Sequence, residues 1–216
     1  MASRIRGIQL EKERLKYLEG TTTVGLACKD GVILASDSRA TAGYLIASKE
    51  ARKVFKVSEN IGMTIAGGVG DAQSLVDILK VEMGYYSMRE GEPMPVNAAA
   101  RLIANVLNYY RMFPFIANLI VGGVDGDGAR VYFIDLDGSL VEDKMVSTGS
   151  GSPVAYGVLE GEFSENMTVK QALPIAIRAV KTAMKRDIAT GNEIKVATIT
   201  RDGYRELPPE EIRKLA

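Results

Sequence analysis

The chain contains no histidine, and that absence removes most familiar hydrolase chemistry at once. Without an imidazole there is no Ser-His-Asp or Cys-His arrangement and no histidine-bound metal. The single cysteine, Cys28, excludes an intrachain disulfide and a multi-cysteine zinc site. It lies in the apolar run Val24–Cys28 and reads as a small buried core residue. A hydrolase built from this sequence must draw its base from a carboxylate, a lysine, a metal-bound water or a terminal amine. Basic and acidic residues number 27 each, so no basic field speaks for nucleic acid. No apolar run approaches the roughly 18 residues of a membrane span. The first twenty residues, MASRIRGIQLEKERLKYLEG, are charged throughout and lack the apolar stretch of a secretory signal. A cytoplasmic protein without nucleic-acid or membrane partners is the expectation.

With 216 residues, 46% hydrophobic and 25% charged, the composition is that of one globular domain. Residues 1–20 read as a polar leader with weak periodicity through Ile8, Leu15 and Leu18, and residues 21–216 as the domain. Two apolar runs, Thr22–Cys28 and Gly31–Ser36, flank Lys29-Asp30-Gly31 as a hairpin. A second hairpin joins Val54–Val57 to Ile61–Ala66 across Ser58-Glu59-Asn60. The period then switches to 3.6. Ala72, Leu75, Val76, Leu79, Met83 and Tyr86 share one helical face, as do Ala99, Leu102, Ile103, Val106, Leu107 and Tyr110. Strand patterns return over Ile116–Val124, Ala129–Asp135 and Ser139–Ser147. Thr168 with Gln171 forms a capping-box pattern opening another helix, in which Pro174 should kink the helix or mark its first turn. A last strand, Ile194–Thr200, precedes a polar tail. Strand blocks separated by helix pairs imply an α+β layered domain.

The segment Gly20-Thr21-Thr22-Thr23-Val24-Gly25 admits two readings. Threonines favour strands, and a glycine often precedes one. Cleavage between Gly20 and Thr21 would instead leave Thr21 with both a hydroxyl and a free α-amine. Such an amine has an ordinary pKa of about 7.7–8.0 and can act as a base near neutrality. The β-methyl restricts χ1 and helps orient Oγ1. Asp37 follows the second strand and Lys53 opens the next; a charged residue at either place is ordinarily solvated. Gly67-Gly68-Val69-Gly70 lacks the Gly-Lys-Ser/Thr ending of a nucleotide loop.

The spacing of Thr21, Asp37 and Lys53 resembles that of the proteasome β family, and the resemblance runs from Gly20 to about Tyr204. It is carried by Gly20-Thr21-Thr22-Thr23-Val24-Gly25, Ala35-Ser36-Asp37-Ser38-Arg39, Ala66-Gly67-Gly68-Val69-Gly70-Asp71-Ala72, Gly149-Ser150-Gly151-Ser152, Tyr156-Gly157-Val158-Leu159-Glu160 and Arg186-Asp187, in that order. The short leader and the lack of long insertions look most like an archaeal β subunit. The resemblance implies a four-layer α/β/β/α sandwich of two antiparallel sheets, the N-terminal-nucleophile hydrolase fold. It implies autocleavage of a 1–20 propeptide at Gly20-Thr21 and a threonine endopeptidase that needs no metal and no cofactor.

In that family's terms Thr21 is the nucleophile and its amine the base, Lys53 the tuning cation and Asp37 its partner. The N–H of Gly67 serves the oxyanion, and Ser150, Asp187 and Thr190 surround the amine. Thr190 departs from the serine many relatives carry, with the hydroxyl retained. Positions matching the first specificity pocket are Ala40, Ala51, Ile65 and Val69, uncharged and suited to a hydrophobic side chain. Implied partners are other β subunits in heptameric rings, flanking proteasome α subunits, an ATP-dependent unfoldase and unfolded polypeptides. A non-catalytic ring subunit lacks some of these residues in its pattern. A small-molecule amidase on the same fold, and a simple bacterial two-ring relative, are the other readings, the last disfavoured by the leader and the longer C-terminal half.

Overall fold

In the computed structural model, which describes residues 20–215, the hairpin at Lys29-Asp30-Gly31 forms as β1 (Thr23–Cys28) and β2 (Gly31–Asp37). The leader reading, over residues 1–20, falls outside the described residues except at Gly20. Every residue of both strands is buried. That burial follows from their place at the centre of a five-stranded sheet, ordered β10-β1-β2-β11-β12, with β10 (Met145–Thr148), β11 (Ile194–Thr200) and β12 (Gly203–Glu206). The second sheet runs β5-β6-β7-β8-β9, from β5 (Val54–Lys56), β6 (Ile61–Gly67), β7 (Ala117–Asp125), β8 (Gly128–Ile134) and β9 (Leu140–Asp143). All pairings are antiparallel.

Alternation along the strands sorts the core into three layers. Val24, Leu26, Ile33 and Ala35 face α3 (Ser152–Glu162) and α4 (Val169–Arg186) in one cluster. Ile61, Met63, Ile65, Leu119 and Val121 face α1 (Val69–Glu90) and α2 (Val96–Tyr109) in another. Between the sheets lie Val32, Leu34, Ile120, Val131 and Ile199. Glycine sets how closely the sheets approach: a Cβ on Gly25 would stand 2.6 Å from Ile120, and one on Gly122 would stand 2.8 Å from Val32. The result is helices, sheet, sheet, helices, the expected sandwich.

Several local expectations are corrected. The run Ser139–Ser147 is not one strand: β9 ends at Asp143 in the second sheet and β10 begins at Met145 in the first, with the Lys144 carbonyl accepting from Ala27 N at 2.8 Å. The exposed charges at Glu142, Asp143 and Lys144 allow the crossing to occur in water. Pro174 does not mark the first turn of its helix. The complete capping box of Thr168 and Gln171 starts α4 at Val169, and Pro174 lies within it. The segment after β2 carries a small hairpin of β3 (Ala40–Ala42) and β4 (Leu45–Ser48) whose mixed pattern gave no strand signal. The polar tail contains β12 and α5 (Pro209–Leu215), anchored by buried Leu207 and Ile212. Among the described residues no helix is long and apolar enough to cross a membrane.

Cys28 sits in the core between the first sheet and α4. Burial, reinforced by the nearby charge of Asp30, pushes its thiol up to about 12. Only the thiolate reacts readily. Native protein incubated with iodoacetamide at pH 8 should therefore gain no mass, and denatured protein should gain one carbamidomethyl group. Rapid labelling of the native state would show that the strand opens.

Candidate active site

Thr21 enters β1 where the strand is held on both sides, Thr23 standing opposite Ser36 on β2 and Thr148 on β10. Thr21, Thr22 and Thr23 are all buried. The ends of β1, β2, β10 and β11 therefore converge on the Thr21 backbone, since Asp37 stands opposite Ile194 in the same sheet.

Asp37 is completely buried, and its carboxylate accepts from every side. Oδ1 takes the backbone N–H of Thr22 at 3.0 Å and the Lys53 ammonium at 2.9 Å. Oδ2 takes the N–H of Arg39 at 3.0 Å and of Gly191 at 2.9 Å. A buried charge is costly unless paired and fully hydrogen-bonded, and this one is both. Lys53 comes from the other sheet: its carbonyl accepts from Ile65 N at 3.0 Å at the start of β5, and its side chain crosses the gap. The same ammonium lies 3.5 Å from the Gly20 carbonyl oxygen, which also accepts from Thr21 Oγ1 at 2.8 Å. The solvated strand-end reading of these two charges is therefore replaced by a buried ion pair bridging the sheets.

A second chain of hydrogen bonds reaches Thr21 from the opposite side. The Thr21 N–H donates to Ser150 Oγ at 3.2 Å, and Ser150 Oγ donates to Asp187 Oδ2 at 2.5 Å. Thr190 Oγ1 donates to the same carboxylate oxygen at 2.5 Å and lies 2.8 Å from Thr22 Oγ1. Asp187 ends α4, its N–H bonded to Ala183, so the helix fixes the carboxylate. The turn between β10 and α3 brings Ser150. Gly149 there has φ +89°, and a Cβ on it would lie 2.1 Å from the Thr21 carbonyl oxygen. Six of the candidate residues, Thr21, Asp37, Lys53, Ser150, Asp187 and Thr190, thus form one bonded constellation.

Gly67 ends β6, two residues beyond Ile65, on the strand next to Lys53. Ala40 opens β3 and is buried. Ala51 donates its N–H to Ser38 O at 2.9 Å and is half-buried. Ile65 packs in the core beneath α1 and α2. The side chain of Val69 falls outside those described.

Arg39 closes the Ala35-Ser36-Asp37-Ser38-Arg39 motif, where the sequence by itself gives it no role. Its guanidinium donates to Ile188 O at 2.8 Å and to Asn192 Oδ1 at 2.9 Å, strapping the loop that carries Ala189, Thr190 and Gly191. A Cβ on Gly191 would lie 2.3 Å from the guanidinium carbon. Contacts between positions about 150 residues apart leave no trace in periodicity.

The α/β/β/α sandwich of two antiparallel sheets is the fold of the N-terminal-nucleophile hydrolases. Comparison with known sequences narrows this. The family model described as "Proteasome subunit" matches residues 17–199. The chain is 53% identical to the proteasome subunit beta of Methanothermobacter thermautotrophicus, over 91% of this chain and 94% of the relative. It is 50% identical to that of Methanosarcina barkeri, over 93% and 95%. It is 49% identical to that of Archaeoglobus profundus, over 93% and 94%. The chain belongs to the proteasome subunit family.

The four-way acceptance at Asp37 gives a test. Asn at this position places an amide NH₂ against two donors whichever way it is turned, and removes the partner charge of Lys53. Asp37→Asn should lower the unfolding free energy by about 2–3 kcal/mol, within the range for a buried group left mismatched. Urea denaturation read by circular dichroism measures it, and an unchanged midpoint would mean the carboxylate is not held as described.

Proposed function

We propose that this chain is a catalytic β-type proteasome subunit, a threonine endopeptidase whose nucleophile, Thr21, is released by cleavage after Gly20. The observation that carries the reading is the convergence of two hydrogen-bond systems on one buried threonine. The Asp37–Lys53 pair lies on its hydroxyl side, and Ser150 with Asp187 lies on its nitrogen side.

Before cleavage the Thr21 nitrogen is an amide and cannot take a proton at neutral pH. Its hydroxyl nevertheless lies on the Gly20 carbonyl, with the Lys53 ammonium on the same oxygen. Attack of Oγ1 on the Gly20 carbonyl carbon forms an ester as the C–N bond breaks and the Thr21 nitrogen takes a proton. Water then opens the ester, leaving a carboxylate on Gly20 and a free amine on Thr21. In the processed chain Oγ1 adds to a substrate carbonyl and its proton passes to that amine, directly or through water. The amine returns the proton to the departing nitrogen, and water hydrolyses the acyl ester. Lys53 favours the deprotonated hydroxyl and amine by its charge. Ser150, Asp187 and Thr190 orient the amine, and the Gly67 N–H serves the developing oxyanion.

Ala40, Ala51, Ile65 and Val69 would give the first pocket an uncharged lining suited to hydrophobic side chains. Family membership supports assembly with other β subunits in heptameric rings between α-subunit rings. Unfolded polypeptides, delivered by an ATP-dependent unfoldase, would be the substrates. Enclosure suits a protease of broad specificity working in the cytoplasm.

Intact-mass measurement of the assembled protein should show a chain beginning at Thr21. An active particle retaining residues 1–20 would contradict the proposal. Packing at the cleavage site adds a sharper case, because a Cβ on Gly20 would lie 1.7 Å from Ala189 Cβ. Gly20→Ala should displace the carbonyl from Thr21 Oγ1 and slow processing by at least about tenfold, given that misplacement near 1 Å costs about 100-fold. A time course of precursor mass measures this, and wild-type processing would show that the contact yields freely.

A further inference from the structure

Gly67 has φ +147°, a conformation only glycine adopts without strain, and its freedom is further limited by one neighbour. A Cβ on Gly67 would lie 2.0 Å from the Ile116 carbonyl oxygen and 2.8 Å from the Ile116 carbonyl carbon. The Ile116 peptide is therefore the wall against which Gly67 is set. Ile116 is in turn tied to the turn between β6 and α1 at both of its backbone groups. Its carbonyl accepts from Gly68 N at 2.9 Å, and its N–H donates to Asp71 Oδ2 at 2.8 Å.

Asp71 stands in the first turn of α1, where a carboxylate is favoured by the helix dipole. A helix-start charge alone would need no partner across the chain. This carboxylate has one, 45 residues away, at the residue preceding β7. The N-cap residue Gly68 supplies no side-chain cap, and a Cβ built on it would lie 3.5 Å from Asp71 Oδ2. The carboxylate thus packs over the turn it ties. The register then carries the constraint onward, because Ala117, directly after Ile116, pairs with Gly67 itself.

We infer that Asp71 is a positioning residue for the oxyanion donor: by holding Ile116 it fixes the orientation of the Gly67 peptide. The inference rests on the proposed threonine endopeptidase reading, in which the Gly67 N–H faces the oxyanion. A donor of this kind acts on the transition state more than on bound substrate, so its displacement reduces kcat and leaves KM nearly unchanged. What Asp71 supplies to Ile116 is an acceptor at a fixed place, which asparagine can also supply. Glutamate keeps the charge at the helix start but moves the acceptor by one methylene.

The test uses the full-length chain in its assembled particle, with a fluorogenic peptide of hydrophobic P1 residue and kcat normalised to processed subunits by intact mass. Asp71→Ala should lower kcat by about 10- to 100-fold with KM within about threefold of wild type. Asp71→Asn should recover kcat to within about threefold of wild type, and Asp71→Glu should stay with the alanine variant. A variant that assembles but keeps its leader counts as a loss. Wild-type kcat in Asp71→Ala overturns the inference, and so does a glutamate variant more active than the asparagine one, which would make charge the determinant. Should the alanine variant fail to assemble, the asparagine–glutamate comparison decides alone. Thr21→Ala, run alongside, separates the two claims. Activity surviving there removes the threonine reading, whereas its loss together with full activity in Asp71→Ala removes only the role of Asp71.

Discussion

One buried ion pair holds the active end of this molecule together. Lys53 leaves the edge of one sheet and Asp37 ends a central strand of the other, so their contact at 2.9 Å joins the two halves of the sandwich where the apolar layer between them ends. A lysine and an aspartate removed from water normally weigh against stability, and replacing such a pair with apolar residues is often neutral. Here the cost is offset by three backbone N–H groups on the same carboxylate, from Thr22, Arg39 and Gly191. Each belongs to a segment that surrounds Thr21: the chain entering β1, the turn after β2, and the loop after α4. Asp37 is therefore as much an organiser of backbone as a partner for a cation.

From that centre the geometry around Thr21 follows. The loop after α4, drawn in by Asp37 and strapped by Arg39, brings Thr190 beside Thr22 and places Ala189 against Gly20. Asp187, at the end of the helix, gathers the hydroxyls of Ser150 and Thr190 onto one oxygen. Ser150 then meets the Thr21 nitrogen. On the proposed mechanism the arrangement is built before the amine exists, and cleavage changes the nitrogen from a donor into a base without requiring the surroundings to move.

Much of the layering could be read from the residues. Short apolar runs at Val24–Cys28 and Ile61–Ala66, period 3.6 from Ala72 and Ala99, and the Thr168 capping box each report a local rule, and each element formed. Less visible were the short β3–β4 hairpin, the β12 strand and α5 of the tail, and the changes of course between elements. The crossing at Lys144 looks like continuous strand because both of its halves are strand, in different sheets. Pro174 offers itself as a first turn because its missing N–H is a local signal, but the Thr168 capping box opens the helix earlier, at Val169, and the face through Ala172, Ile175, Ala176 and Ala179 is buried. At the site, Thr21, Asp37 and Lys53 were picked out by resemblance, since a charge at a strand end is ordinarily solvated. Arg39 and Asp71 stood inside noted motifs with no assigned task, because their partners, Ile188 with Asn192 and Ile116, are brought near only by the fold.

On the proposed mechanism Thr21 supplies the attacking hydroxyl. A chain begun at residue 21 with Thr21→Ala has the free amine and the complete surroundings but no Oγ1. Assembled and assayed beside the corresponding wild-type chain, it should release no product above the uncatalysed rate from a hydrophobic peptide substrate. Turnover in that particle approaching the wild-type rate would show that another group attacks the carbonyl, and would contradict the account.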